Sequence, residues 1–220
     1  GGFLLYTVPV KPKTMHILER LLRGETPARI FTNHRLSHET LRGRVVDVGG
    51  GRNPNYFAYM QHEEGAEIQA LDGSMSGIDF EKAALPYDAG QVDTVIFCNV
   101  LEHIYNYRHL VAEVRRACAP GGQVLGFVPF MVGYHPDPHD YFRYTHESLR
   151  MIFNEAGFSR VSVEALGGSP ILANFNTIVL TLPRVLRPVF YIGYWVLDAA
   201  FLRLRPKSAV RNPFGYFFKL

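Results

Sequence analysis

A doubly wound α/β fold, a mostly parallel sheet with helices on both faces, is the architecture that this 220-residue chain predicts. Three observations carry it. Residues 45–53, Val-Val-Asp-Val-Gly-Gly-Gly-Arg-Asn, read as a buried β-strand running into a glycine-rich turn. Further apolar runs alternate downstream with stretches of helical periodicity. A hydrophobic content of 47% over this length is enough to bury a sizeable core. Val45, Val46 and Val48 supply the β-branched run of a strand covered on both faces, and Gly49 and Gly51 let the backbone turn sharply and approach a ligand. Asn53 as an N-cap, followed by Pro54 at the first helical position, marks the start of a helix.

The remaining elements follow in order. Ala66–Leu71 reads as a second strand ending at Asp72, about twenty-five residues after Asp47, where a doubly wound fold places an acid for ribose hydroxyls. The loop from Gly73 to Gly77 is short and leaves little room for a helix joining the second and third strands. Val92, Val95, Ile96 and Phe97 make a buried strand, with Asn99 at its carboxyl end and Leu101–Ile104 opening the next helix. In open α/β sheets ligands bind beyond the carboxyl ends of the strands, at the switch in strand order. Tyr107 to Ala117 is a helix with Leu110, Val111, Val114 and Ala117 on one face, stopped by Pro120-Gly121-Gly122. Val124–Val128 is the next strand. Phe153 to Phe158 closes a helix and enters the strand Ser159–Glu164, and Phe214 to Lys219 forms a last strand.

A glycine turn after a first strand serves two large cofactor classes. The dinucleotide fingerprint needs G-x-G-x-x-G, and counting from Gly49 its sixth position is Pro54, so the third glycine is missing. The other pattern sets an acid two positions before the first glycine, as in Asp47-Val48-Gly49-Gly50-Gly51. Here the chain resembles the class I S-adenosylmethionine-dependent methyltransferases, whose first motif is hydrophobic-hydrophobic-D-x-G-x-G-x-G, with Asn53 where the third glycine falls. Gln91 to Ile104 resembles the fourth strand of that family and the loop after it. The family's A-x-x-x-L-K/R-P-G-G appears as Val114 to Gly122, with Ala119 in the basic position.

The resemblance covers nearly the whole chain. It implies one methyltransferase domain over 1–220, built on a Rossmann-like, seven-stranded, mostly parallel sheet of order 3-2-1-4-5-7-6. The last strand is antiparallel between the fifth and sixth. A helical segment over 1–43 precedes the sheet, and a helical insertion over 170–204 comes before the last strand, where such elements shape the acceptor site. S-adenosylmethionine is the implied cofactor and S-adenosylhomocysteine its product. Asp47, Gly49, Gly51 and Asn53 hold it at the first turn, Asp72 at the ribose, Asp79 at the adenine amine with Phe80 on the ring, and Asn99 and Leu101 at the fourth strand.

After the fifth strand, Tyr134-His135-Pro136-Asp137-Pro138-His139-Asp140-Tyr141-Phe142-Arg143-Tyr144-Thr145 is dense in groups able to do chemistry, and its prolines stiffen it. Similar loops occur in methyltransferases of polysaccharide and cell-envelope pathways. A hydroxyl acceptor calls for a general base near neutral pKa, so His139 or His135 is expected to take the proton while Tyr141 and Tyr144 wall the pocket. Tyr134, Asp140, Arg143 and His103 are assigned to the acceptor side, with Asp140, Arg143 and Tyr144 also able to tie the loop to the cofactor domain. Thr145 and Ser148 suit a helix start. His135-x-Asp137-x-His139 offers three ligand types within five residues, but magnesium prefers oxygen, zinc sites draw on more distant groups and the prolines restrict convergence. No metal is expected.

Charge is uneven. From Arg184 onward there are seven basic residues (Arg184, Arg187, Arg203, Arg205, Lys207, Arg211, Lys219) against one acid, Asp198, while the whole chain carries +3. The stretch from Ile171 to Leu202 is also strongly apolar, and Pro183 and Pro188 are expected to interrupt it before about twenty residues of helix can form. Helices lying on a membrane, or packing as a lid or homodimer interface, fit this pattern, as does an ordinary core pair. Nucleic acid is disfavoured because the basic residues sit among apolar ones. Two scattered cysteines, Cys98 and Cys118, and no signal-peptide pattern point to a cytoplasmic place, with peripheral contact at the inner membrane face. The function expected is O-methylation of a saccharide or lipid-linked glycan hydroxyl. A small lipid or quinone-like acceptor, or an inactive cofactor-binding subunit docking on a membrane or partner, is the alternative.

Overall fold

The computed structural model describes residues 12–51, 55–73, 77–167 and 169–220. They fall into two compact units. One contains residues up to Arg35, Pro129–Gly133 and Glu164–Tyr216; the other contains Leu36–Val128, Tyr134–Val163 and Phe217–Leu220.

A six-stranded sheet is the framework. Its strands are β2 (Arg44–Val48), β4 (Glu67–Leu71), β5 (Val92–Cys98), β6 (Cys118–Pro129), β7 (Ser162–Leu166) and β8 (Gly215–Lys219), in the order β4-β2-β5-β6-β8-β7. β4, β2, β5 and β6 run parallel. β8 is antiparallel to β6: Val124 and Leu220 exchange both backbone bonds, and the Phe130 N–H donates to Phe214 O, so one index rises as the other falls. β5 is buried along nearly its whole length and supplies the central layer. Gly126 of β6 is a packing requirement, since a Cβ there would stand 2.2 Å from the Phe218 ring and 2.4 Å from Phe97 O.

Among the described residues the sheet has six strands, where seven were expected. The expected third strand would lie outside β4, but residues 79–91 form turns among the charged Asp79, Glu81 and Lys82, then Pro86 and Gly90. That stretch offers no alternating apolar face to an edge, and β4 is itself exposed over four of its five residues. A separate pair of short parallel strands, β1 (Thr40–Leu41) and β3 (Gln61–His62), was not foreseen. Its two residues per strand are below the length at which a periodic pattern can be read. Asn53 and Pro54, expected to open a helix, lie outside the described residues; Asn55–Tyr59 is a 3₁₀ helix.

In the sheet-bearing unit, α3 (Tyr107–Ala117) buries Leu110, Val111, Val114 and Ala117, the face its periodicity gives. Another helix, α4 (His146–Glu155), starts at a reciprocal cap, with Thr145 and Ser148 each accepting the other's backbone N–H. The other unit holds α1 (Thr14–Leu22), α2 (Pro27–Leu36, through Arg35), α5 (Pro170–Ile178) and α6 (Arg187–Leu204). Its core gathers Ile17, Leu21, Phe31, Phe175, Tyr191 and Phe214. Buried polar side chains satisfy its helix ends: Asn176 accepts from Ala28 N at the start of α2, and Asp198 from Ile171 N and Leu172 N at the start of α5.

Pro188 does not break the apolar run. It sits in the first turn of α6, where no intrahelical partner is needed, so Arg184–Leu204 is helical over 21 residues, enough by length and composition to cross a membrane. Only Arg187, Tyr191 and Asp198 are buried on it, spaced along one stripe, while Val189, Ile192, Trp195, Val196 and Leu197 are exposed.

Candidate functional site

Strand register brings the first group of residues together. Val48 pairs with Leu71 and Asp47 with Ile96, so Gly49, Asp72 and Asn99 all lie just beyond the carboxyl edge of adjacent parallel strands. Gly49 (φ 76°) and Gly51 (φ 66°) occupy the left-handed region. Gly50 is required by contact, since a Cβ there would lie 1.6 Å from Asp47 Oδ2. Asp72 Oδ2 is 3.7 Å from where a Cβ on Gly51 would be, so its carboxylate borders the turn. Asn99 is the one non-glycine residue at positive φ (55°) among the described residues, and it is exposed at the end of β5.

Asp47 is fully buried. Tyr56 donates to its Oδ2 at 2.5 Å, while Oδ1 has no hydrogen-bond partner among the described residues. Loss of hydration pushes its pKa up to about 7, against the lowering by Tyr56. An orphaned carboxylate oxygen beside a glycine cradle, with a second acid at the edge, fits a ligand bearing a cationic amino-acid tail and a diol. Phe80 is buried with its ring beside Gly73, on the chain leaving Asp72. Asp79 is exposed, and its Oδ1 accepts the Glu81 N–H at 3.0 Å. Leu101 is wholly buried, and its carbonyl accepts the Tyr144 hydroxyl at 3.1 Å. Asn53 lies outside the described residues.

The acceptor-side loop, 134–145, is pinned to the turn after β5. Glu102 O accepts from Tyr141 N (2.8 Å) and Phe142 N (3.3 Å), and His103 Nδ1 donates to His139 O at 2.5 Å. Arg143 grips Asp140 with both terminal nitrogens, the second at 2.7 Å, and the Asp140 carboxylate also accepts the His135 N–H at 3.0 Å. The guanidinium holds the Asp140 carboxyl well below the usual range, and burial drives the Tyr144 hydroxyl far above its ordinary value. The Asp137-Pro138 peptide is cis.

The loop delivers His135 to His103, ring to ring at 5.2 Å, and both face Glu102: Oε1 lies 3.6 Å from His103 Nε2 and 3.8 Å from His135 Nε2. Asp140 and Arg143 stand behind His135. His139 offers its carbonyl to this cluster while its ring, exposed, sits 5.3 Å from Tyr141. Tyr134 is exposed, and Tyr144 is buried against Leu101 O as a support for the turn. Glu102 was missed by sequence reasoning. An acid between Leu101 and His103, directly after a buried strand, is the signal that could have found it.

A wide depression lined by Arg42, Arg115, Gly121 and Arg160 lies at the opposite, amino edge of the parallel strands, away from these groups.

A methyltransferase domain family matches residues 13–163. An uncharacterized methyltransferase from Mycobacterium sp. (strain KMS) is 26% identical over 74% of this chain and 74% of its own length. Among solved structures, a SAM-dependent methyltransferase from Archaeoglobus fulgidus superposes with TM-score 0.52 at 15% identity, covering 94% of this chain and 99% of that one. Phosphoethanolamine N-methyltransferase 2 from Haemonchus contortus, in complex with S-adenosyl-L-methionine, gives TM-score 0.51 at 16% identity over 86% of this chain; the chain spans 51% of that enzyme's length. Both share the α/β fold, and the family match covers well over half of the sequence. The chain belongs to the methyltransferase domain family, whose methyl donor is S-adenosylmethionine.

Proposed function

We propose that the chain is an O-methyltransferase acting on a hydroxyl of a saccharide or lipid-linked glycan. The observation that carries this reading is the cluster of Glu102, His103 and His135, set beyond the carboxyl end of β5 on the same sheet edge as the donor turn. S-adenosylmethionine supplies a methyl group on a sulfonium that is already an excellent leaving group, so the chain's task is alignment and removal of the acceptor proton. Asp47, the glycine turn and Asp72 hold the donor's amino-acid and ribose ends, and Asp79, Phe80, Asn99 and Leu101 frame the rest. His135, half-buried between Asp140 and Glu102, is the side chain of the cluster that opens toward the acceptor hydroxyl, whose proton must leave. A neutral amine would need no such cluster.

Two further features support the acceptor class. Tyr105, Tyr141 and Phe142 form an aromatic group on the rim of the loop, with Tyr105 and Tyr141 5.4 Å apart and partly exposed, the kind of ring face on which a sugar's C–H face packs. His139 and Tyr134 stand on the same exposed loop and wall the acceptor. The exposed apolar stripe of α6, with Arg184, Arg203, Arg205 and Lys207 at its ends, suits an anionic bilayer surface, on which a lipid-linked acceptor would reside. Buried Arg187 and Asp198 bond to their own unit, which favours a helix lying on the bilayer over one crossing it.

The test is transfer of labelled methyl from S-adenosylmethionine to a panel of lipid-linked glycans, free oligosaccharides, quinols and phosphoethanolamine. Base-stable labelling of a glycan hydroxyl, lost in His135→Ala with donor binding intact, is the expected result. Labelling of a quinol or an amine alone would replace the acceptor class, and donor binding without transfer to any of them would favour the inactive-subunit reading.

A further inference from the structure

We infer that Glu102, His103 and His135 form a binding site for a divalent first-row transition-metal ion. The inference deepens the methyl-transfer reading and rests on it for the ion's role, though not for its binding.

A backbone carbonyl only accepts, so the 2.5 Å contact between His103 Nδ1 and His139 O fixes the proton on Nδ1. In the neutral ring Nε2 then carries a lone pair, and that lone pair faces Glu102 Oε1 at 3.6 Å. Glu102 is 0% exposed, and among the described residues neither of its carboxylate oxygens accepts a hydrogen bond. Two acceptors held face to face in a water-poor place require a positive charge between them, either a proton or a cation. His135 Nε2 converges on the same oxygen at 3.8 Å, and all three ligand atoms lie within 4.8 Å of one another.

Ion-to-ligand bonds of roughly 2.1 Å at tetrahedral angles put ligand atoms about 3.4 Å apart. The two distances to Glu102 need to close by only a few tenths of an ångström. Two imidazoles and one carboxylate are the donor set of zinc, manganese, iron(II) and cobalt, while magnesium and calcium favour all-oxygen shells. The surroundings suit a ligated imidazole. Asp140 Oδ2 lies 3.6 Å from His135 Nδ1, a carboxylate placed behind the ring, and its own charge is matched by Arg143. Arg143 Nη2 also touches His135 Nδ1 at 3.3 Å, so metal binding would turn that nitrogen from accepting from Arg143 to donating to Asp140. His135 is the open side: its side chain is 38% exposed against 11% for His103, which leaves a coordination position toward the acceptor.

There the ion orients the acceptor hydroxyl and lowers its pKa. The hydroxyl proton passes to solvent, the oxygen bonds the methyl carbon, the carbon–sulfur bond breaks, and its electron pair stays on sulfur. His135 is then a ligand and not the base.

The test uses the full chain, stripped with chelator and dialysed, then titrated with Co(II) alone and followed by visible d–d absorption and calorimetry. One equivalent should bind and give bands of a nitrogen- and oxygen-ligated ion. Glu102→Gln and His135→Ala should each weaken binding by about tenfold or more, and Asp137→Asn should leave it unchanged. Glu102→Gln removes a buried charge, so its fold is checked by circular dichroism; His135, on the exposed side, gives the second variant. Absence of stoichiometric Co(II) binding by folded wild type, or binding indifferent to both variants, overturns the site. Methyl transfer that survives chelation would leave the methyltransferase reading intact and the metal role refuted. Co(II) bound with no transfer to any acceptor would leave the binding site standing and refute the methyl-transfer reading together with the ion's role in it.

Discussion

On the proposed donor-site reading, Asp47 couples the glycine turn to pH. Its folded pKa of about 7 stands above the unfolded carboxylate value, so the protonated form favours the apo fold. That contribution is complete at low pH and is lost as pH rises from the carboxylate range through about 7. A bound cationic tail reverses the preference by favouring the carboxylate. Donor affinity should therefore increase as pH rises toward and through about 7, and Asp47→Asn should flatten the profile, read by calorimetry across that range. Gly50 is equally exacting, because a methyl group there meets the Asp47 carboxylate. Gly50→Ala should cost about 1–3 kcal/mol of stability in denaturant melts and lower donor affinity. That both acids and the glycines lie at one strand edge was legible in the sequence, because a strand followed by a tight turn fixes residue types at fixed offsets. Glu102 was not legible, since its meaning comes from His135, thirty-three positions away, and from a loop docking that no local pattern encodes.

At the scale of elements, the loop after β6 holds its shape through one ion pair and two backbone bonds to Glu102 O. The Asp140 side chain is 1% exposed, so Arg143→Ala would strand a buried carboxylate. It should destabilise the protein by about 3 kcal/mol and remove turnover. Arg143→Lys, which keeps the charge but loses the two-pronged grip, should recover stability in part. The α6 face makes a separate prediction. Ile192→Glu with Val196→Glu, both on exposed positions, should abolish co-sedimentation with anionic phospholipid vesicles while leaving donor affinity unchanged. Equal sedimentation of variant and wild type would remove the bilayer from the account. The apolar composition of this segment was evident in the sequence. Its continuity was not, because Pro188 breaks a helix from the interior and is tolerated in the first turn, and only the structure shows which turn it occupies.

For the molecule as a whole, the parallel strands and the antiparallel last strand followed from buried runs and a family pattern, and these elements set Gly49, Asp72 and Asn99 at one sheet edge. The seventh strand, absent among the described residues, had a physical warning in the short loop after Asp72 and the charged, proline-bearing stretch that follows. What an edge strand needs is an alternating apolar face, and residues 79–91 bury Phe80 and Leu85 from turns without such an alternation. The claim on which everything else depends is that this sheet edge binds S-adenosylmethionine. Calorimetric titration of the wild type and of Asp72→Ala with S-adenosylhomocysteine tests it most directly. Micromolar binding at one site is expected, weakened about tenfold or more when the carboxylate beside Gly51 is removed. A well-folded wild type that binds no S-adenosylhomocysteine, or an Asp72→Ala variant that binds it as tightly, would contradict it.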